Sequence, residues 1–337
     1  MAQKSYRGAI REALHQEMRR DDTVIVIGED VAGGAGGGGA EDAWGGPMGV
    51  TKGLVGEFGR RRVLDTPISE AAFMGCALGA ATAGLRPVVD LMFNDFAGVC
   101  FDQIVNQAAK YRYMFGMQDK VPLTIRTTIG AGLRIGPQHS QSLHAIFTSF
   151  PGLKVVLPAT PYDAKGLLVS AIRDDDPVIF CEHKLLYRMR EDVPEESYAI
   201  PFGEARIVRD GDDVTIVAIS RMAVIAEEAA ENLAAEGIEC DVIDPRTTSP
   251  LDAETIFESI ERTGRLVVVD EGGPRCGLAA DISAMVADEM FAALKAPIKC
   301  VTPPFVPIPA APNLEDHYVP GTDRIEEAVR SVANYDG

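Results

Sequence analysis

The sequence predicts an α/β protein of two doubly wound domains. Two observations carry that expectation. Short β-branched runs, apolar on consecutive positions, alternate with helical patterns along the whole chain, as do strands buried on both faces of a parallel sheet and their crossover helices. The alternation is also written twice, on either side of the charged, proline-bearing and aperiodic stretch Arg188 to Gly203, RMREDVPEESYAIPFG. The expected organisation is a first domain over residues 1–188, a linker over 189–203 and a second domain over 204–337. A length of 337 residues suits two domains that each bury a core.

The opening segment, MAQKSYRGAIREALHQEMRR, predicts an amphipathic helix. It carries Glu12 and Glu17 and has no cleavable apolar core, so neither a signal peptide nor a transit peptide is expected. Val24–Ile27 reads as the first strand. A glycine-dominated insertion follows at Val31–Gly53 and contains G-x-G-x-x-G at Gly34, Gly36 and Gly39. A dinucleotide fingerprint requires a helix to open at the third glycine, and AEDAWGGPMG has no helical period, so the nicotinamide reading is rejected. The first series continues with helix Glu70–Leu85, strand Pro87–Met92, helix Asp95–Met114, strand Leu123–Thr127 and helix Ser142–Phe150. Strand Lys154–Leu157, helix Ala164–Arg173 and strand Pro177–Cys181 close it. The second series alternates strands Val214–Ile219, Glu239–Ile243, Arg265–Val269 and Ile298–Val301 with helices Met222–Glu236, Asp252–Arg262, Gly277–Leu294 and Asp323–Val332.

Composition excludes several classes. With 46% hydrophobic and 24% charged residues the chain is an ordinary globular protein rather than a disordered one. Its 32 basic and 50 acidic side chains give a net charge of −18, which opposes binding to nucleic acid or to anionic membranes. The apolar run Ala71 to Leu85 is shorter than the roughly 20 residues that span a bilayer. Six scattered cysteines without a C-x-x-C pair suit reduced thiols in a cytoplasmic protein and no structural zinc.

Few side chains offer chemistry. Glu70 follows Ser69, a good helix N-cap, and on spacing alone reads as a first-turn acid favoured by the helix dipole. A carboxylate fixed between a strand end and a buried helix is also placed to face a ligand. Of five histidines, His139 in GAGLRIGPQHSQ follows a strand and lies among glycines and polar side chains that suit a binding loop. His139 and His144 miss the spacing of a helical zinc pair, and no G-x-S-x-G elbow exists. Asp174-Asp175-Asp176 follows a helix C-terminus, where acids oppose the dipole. The run is either a solvated helix end or a cation site, since carbonyl and carboxylate oxygens are hard ligands.

LDTPISE, GLRPVVDLMFNDFAG, AGLRIGPQHSQ and PGLKVVLPATPYDAKGLLVSAIRDDDPVIF together resemble the β subunits of thiamine-dependent 2-oxo acid dehydrogenases. The resemblance continues through RTTSPLD and GRLVVVDE and so covers essentially the whole chain. AWGGPMGVTKGL, MFNDFAG and FCEHKLLY are most similar to the acetoin-cleaving branch, with pyruvate or branched-chain 2-oxo acid β subunits as the alternative. From another class, a non-catalytic scaffold remains a rival. The resemblance implies a transketolase-like pyrimidine-binding domain followed by a transketolase C-terminal-like domain. It also implies that Glu70 hydrogen-bonds N1′ of the aminopyrimidine of thiamine diphosphate, with Phe96 stacked on that ring and Ile68 and Met92 beside it. His139 corresponds to a histidine that assists transfer to a lipoyl group. A potassium site is implied at the backbone oxygens of Leu123, Ala171 and Ile172 with Asp174 and Asp176, although many relatives carry asparagine at the last position.

The diphosphate half of such a site needs Gly-Asp-Gly and a later Asn, in the family's pattern. This chain has only Gly211-Asp212-Asp213. The resemblance therefore implies an α subunit that holds Mg²⁺ and the diphosphate in an α2β2 heterotetramer. It further implies a lipoyl-bearing acyltransferase that receives the acetyl unit when acetoin is cleaved to acetaldehyde.

Overall fold

A computed structural model of the chain describes residues 1–33 and 45–336. Gly34, Gly36 and Gly39 of the rejected dinucleotide motif lie outside the described residues. The chain divides into two compact units, Met1–Ile129 with Phe147–Phe202, and Gly130–Ile146 with Gly203–Gly337.

The first unit opens with β1 (Ala2–Ser5) and α1 (Tyr6–Arg20), whose first turn is capped by the Ser5 hydroxyl accepting the Gly8 N–H at 3.1 Å. There follow β2 (Val24–Glu29), α2 (Leu54–Phe58), β3 (Val63–Thr66), α3 (Glu70–Thr82), β4 (Arg86–Phe93), α4 (Ala97–Asp102), α5 (Ala109–Met114) and β5 (Thr124–Ile129). The chain passes through the second unit and returns along α6 (His144–Thr148) to β6 (Lys154–Val156), α7 (Pro161–Arg173), β7 (Val178–His183) and β8 (Arg190–Val193). Within this unit parallel strands run in the order β6-β7-β5-β4-β2-β3. From β2 the chain lays β3 on one side and β4 on the other. That reversal opens the crevice outside the carboxyl ends where open α/β sheets bind ligands.

Two expectations change. The helix expected over Asp95–Met114 is segmented into a 3-10 turn (Asn94–Phe96), α4, a π-helical turn (Gln103–Ala108) and α5. The close neighbour of that last junction is Gly152, where a Cβ would lie 1.9 Å from the Ala109 carbonyl oxygen. The stretch expected to be a linker also holds β8, paired antiparallel with β1 from Ala2↔Val193 to Ser5↔Arg190. Just beyond it the buried Lys165 ammonium donates to the carbonyls of Pro194, Glu195 and Glu196 at 2.6, 3.2 and 2.9 Å, which fixes the chain there.

The second unit holds β9 (Arg206–Arg209), β10 (Val214–Ala218), α8 (Arg221–Ala234), β11 (Cys240–Asp244), the short β12 (Thr247–Ser249), α9 (Ala253–Thr263) and β13 (Leu266–Val269). It ends with α10 (Leu278–Glu289), β14 (Lys299–Val301), α11 (Pro312–Tyr318) and α12 (Thr322–Ala333). Its sheet runs β14-β13-β10-β11-β9, parallel except for the antiparallel edge strand β9. α9 starts on Asp252, whose carboxylate accepts the Thr255 N–H at 3.1 Å, and stops at Gly264 with φ 70°. The cores are Val, Ile, Leu and Ala of the strands and of the helix faces laid on them. No helix among the described residues is long and apolar enough to cross a membrane.

Candidate functional site

β2 is in register with both neighbours at Gly28, which pairs with Asp65 and Asp90; β2 and β3 end one residue later, and β4 runs on to Phe93. Only glycine fits at position 28, since a Cβ would lie 2.6 Å from the Asp90 carbonyl oxygen. β3 leads through Pro67, Ile68 and Ser69 into α3, whose first residue is Glu70. Ser69 occupies the N-cap position without capping. Its φ of −164° and ψ of 54° turn the hydroxyl away, and it donates to the Pro67 carbonyl at 3.0 Å. Glu70 is buried at the positive end of a 13-residue helix.

Two titratable groups near Glu70 are shifted. Burial first, and then Asp30 and Glu70, push the Glu29 carboxyl above the ordinary range at the end of β2. The Cys100 thiol on α4 is pushed up to about 12, by burial and then by Glu70. A carboxylate that raises a second carboxyl favours a proton on that neighbour. At the end of β3 the buried Thr66 hydroxyl has no hydrogen-bond partner among the described residues. Phe96 lies edge-on to Phe93 with ring centroids 5.4 Å apart, and the Lys184 ammonium sits 5.4 Å from the Phe93 ring. Ile68 is 77% exposed. Met92 is half-buried, with a φ of 62°. The structure thus places Ile68 and Glu70 beyond the end of β3 and Met92 and Phe96 at the end of β4, on either side of β2.

His139 belongs to the second unit, in the loop Gly130–Ile146. Carboxylates organise that loop. The Ala131 N–H donates to Glu271 at 2.6 Å, and Gly132 and Arg134 N–H groups donate to Glu315 at 2.9 and 3.2 Å. The Arg134 guanidinium pairs with Glu315 at 2.6 Å, and the buried His144 lies 3.2 Å from Asp270. Burial opposes a charge on His144, but Asp270 outweighs it and holds its pKa above the ordinary value. His139 is half-buried on a turn closed by its N–H to the Gly136 carbonyl at 3.4 Å. Beside it an open cleft of about 460 Å³ is lined by Pro137, Gln141, Leu143, Ile146, Phe305 and Ile308.

The acids after α7 meet bases. Lys154 holds both oxygens of Asp174 at 2.7 Å and reaches Asp176 at 3.2 Å. Arg86 donates to the carbonyls of Ile172 and Asp174 at 3.2 and 2.9 Å and pairs with Asp175 at 2.6 Å. Arg112 pairs with Asp176, and Lys120 with Asp175 at 2.6 Å. The Leu123 carbonyl accepts Val178 N–H at 2.9 Å and the Ala171 carbonyl accepts Asp174 N–H at 3.3 Å. The oxygens expected to bind a cation have the chemistry for one. Yet the dipole conflict read from sequence is already relieved by side chains, so a cation there has Lys154 as its competitor.

Sequence reasoning missed a buried charge network. Arg126 on β5 grips Glu182 on β7 through two nitrogens at 2.7 and 2.9 Å and Asp90 on β4 at 3.1 Å. The Tyr187 hydroxyl donates to Glu182 at 2.7 Å. Burial lowers the pKa of Arg126, but Glu182 and Asp90 outweigh it and keep the guanidinium charged, while burial raises that of Glu182. The signal was present, because PVVDLM, LTIRTT and FCEH each set one charge inside an apolar strand.

Residues 2–190 match the family of the transketolase pyrimidine-binding domain, and residues 203–325 that of the transketolase C-terminal domain. Over 333 residues, 98% of each chain, the protein is 60% identical to the acetoin:2,6-dichlorophenolindophenol oxidoreductase subunit beta of Cupriavidus necator. It is 47% identical over 333 residues, 99% of each chain, to the pyruvate dehydrogenase E1 component subunit beta of Rickettsia felis. A solved split-gene transketolase, an inactive beta4 tetramer, shares the fold with a TM-score of 0.77 at 24% identity over 98% of both chains.

Proposed function

Because this chain belongs to the transketolase-like β subunits of thiamine-dependent acetoin and 2-oxo acid dehydrogenases, we propose that it supplies the pyrimidine half of an acetoin dehydrogenase active site. The observation that carries this reading is the buried Glu70 beyond the end of β3, with Met92 and Phe96 at the end of β4 across β2, where the strand order reverses. The orphaned Thr66 hydroxyl and the raised Glu29 carboxyl suit a polar heterocycle in that crevice.

Bound thiamine diphosphate supplies an acidic carbon that adds to a carbonyl and holds the electron pair left when a carbon–carbon bond breaks. Glu70 shares a proton with N1′ of the aminopyrimidine, and its burial keeps water from competing for that proton. Phe96 offers a ring face to the pyrimidine, and Ile68 and Met92 border it. His139 serves the later step, steering a proton as the acetyl unit passes to a lipoyl group on an acyltransferase.

The α subunit of an α2β2 tetramer holds the diphosphate and its magnesium. In this chain Asp212 and Asp213 are committed elsewhere, to Arg262 at 3.1 Å and to the Glu239 N–H at 2.8 Å. A potassium ion on Leu123, Ala171, Ile172, Asp174 and Asp176 belongs to the same proposal, as does a cytoplasmic location, which the free thiols Cys100, Cys181 and Cys240 suit. Reconstitution with the α chain tests the substrate. Acetoin should drive reduction of 2,6-dichlorophenolindophenol faster than pyruvate does. The reverse order would favour the pyruvate dehydrogenase reading, which the 47% identical relative supports.

A further inference from the structure

We propose that Asp90, held by Arg126, is a positioning residue for the cofactor, because it fixes the strained backbone of Met92 at the wall of the pyrimidine pocket. The proposal rests on the reading of Met92 as a ring contact. Met92 has a φ of 62°, in the left-handed region that side-chain-bearing residues avoid. Such a conformation persists only where the surroundings over-determine it.

Here they do so from both sides of the residue. The Met92 N–H donates to Asp90 Oδ1 at 3.0 Å, and the Thr128 hydroxyl donates to the Met92 carbonyl at 2.7 Å. The register between β4 and β5 slips at this point, since Asp90 pairs with Arg126 and Phe93 with Thr128. β4 therefore carries one residue too many, a bulge of the kind that re-aims a side chain beside a functional site.

The two Asp90 oxygens divide the work. Oδ2 takes the Arg126 guanidinium at 3.1 Å, and Oδ1 is left for the Met92 N–H. Arg126 cannot swing away, because Glu182 holds it through two nitrogens and it is almost wholly buried. A chain of three buried charges on β7, β5 and β4 thus ends on one backbone amide at the site.

The test uses the assembled tetramer with the α chain and two calorimetric probes, thiamine diphosphate and inorganic pyrophosphate, each with magnesium. Pyrophosphate lacks the pyrimidine and reports the other half of the site. Asp90→Ala leaves Arg126 paired with Glu182, so the tetramer is expected to assemble. It should bind thiamine diphosphate about tenfold more weakly, from a lost hydrogen bond and a relaxed backbone. Pyrophosphate affinity should stay the same. Asp90→Asn offers one oxygen to two donors and sets its NH2 against either Arg126 or the Met92 N–H, so it should also weaken thiamine diphosphate binding and spare pyrophosphate. Unchanged thiamine diphosphate affinity in Asp90→Ala, or an equal loss on both probes, would overturn the proposal. Met92→Ala separates the layers. If it leaves thiamine diphosphate affinity intact, the pocket reading itself falls. If it weakens binding while Asp90→Ala does not, only the positioning role falls. Should Asp90→Ala fail to assemble, Thr128→Val removes only the hydroxyl on the Met92 carbonyl. It should cost roughly threefold on thiamine diphosphate alone, and no loss would overturn the proposal.

Discussion

Glu70 separates two readings that the sequence left together. As a first-turn acid alone, Glu70→Gln should cost a few tenths to about 1 kcal/mol of stability and leave activity intact. As the partner of N1′, it should assemble and bind cofactor but lose at least about two orders of magnitude in proton exchange at the cofactor's C2. The second outcome is expected, and deuterium exchange followed by NMR measures it; near wild-type exchange would sink the assignment. His139→Ala should behave differently, slowing acetylation of a lipoyl acceptor more than C2 exchange, because the role proposed for His139 is in that transfer and not at N1′. Glu17 offers a pH test. Burial opposes its charge, but hydrogen bonds from Arg173 at 2.6 Å and Arg20 at 2.8 Å outweigh it and hold its pKa below the ordinary value. A depressed carboxylate stabilises the fold above the unfolded value, roughly 4.3, and loses that contribution as pH falls through the folded value. Glu17→Gln should therefore cost about 1–3 kcal/mol at pH 7. In urea unfolding that deficit should narrow steadily below roughly pH 4.3; a deficit independent of pH would contradict the sign.

Elements show what patterning does and does not carry. Gly152 has a φ of 98° and approaches the Ala109 carbonyl where a π-helical turn gives way to α5. Gly152→Ala should cost about 2–5 kcal/mol in chemical unfolding, from strain and overpacking together; a cost under about 1 would mean that α5 yields easily. At the end of α7, potassium should raise the thermal midpoint of the tetramer above that in tetramethylammonium chloride at equal ionic strength, by displacing Lys154 from Asp174. Equal midpoints would leave those acids to their bases. The interior parallel strands were legible because both faces are buried, so β2, β4, β5, β7, β10, β11 and β13 read as short, mainly apolar and β-branched runs. β1, β8 and β9 were not legible, since short outer strands such as Ala2–Ser5 carry mixed polarity. Nor was the segmentation of Asp95–Met114, because a π-turn leaves the apolar period nearly intact. Glu70 stood out at a helix start, but its chemical role came from resemblance. Asp90, Arg126 and Glu182 went unread, because each looks like an accident in its own strand and only the sheet order joins them.

At the scale of the whole molecule the chain is half of a catalyst. The isolated β chain should bind thiamine diphosphate weakly and turn over nothing, since the acids that approximate a magnesium motif are engaged by Arg262 and the Glu239 amide. Saturable micromolar binding by calorimetry without the α chain would contradict this. The loop Gly130–Ile146 has a consequence for anyone who recombines such subunits. It lies early in the chain, yet its backbone amides and His144 are anchored by Asp270, Glu271 and Glu315, more than a hundred residues downstream. A chimera joined at residue 203 would graft one parent's histidine loop onto another parent's anchors. Exchanging 130–146 together with 203–337 keeps the loop with the carboxylates that shaped it, so the natural crossover points for engineering substrate choice number three rather than one.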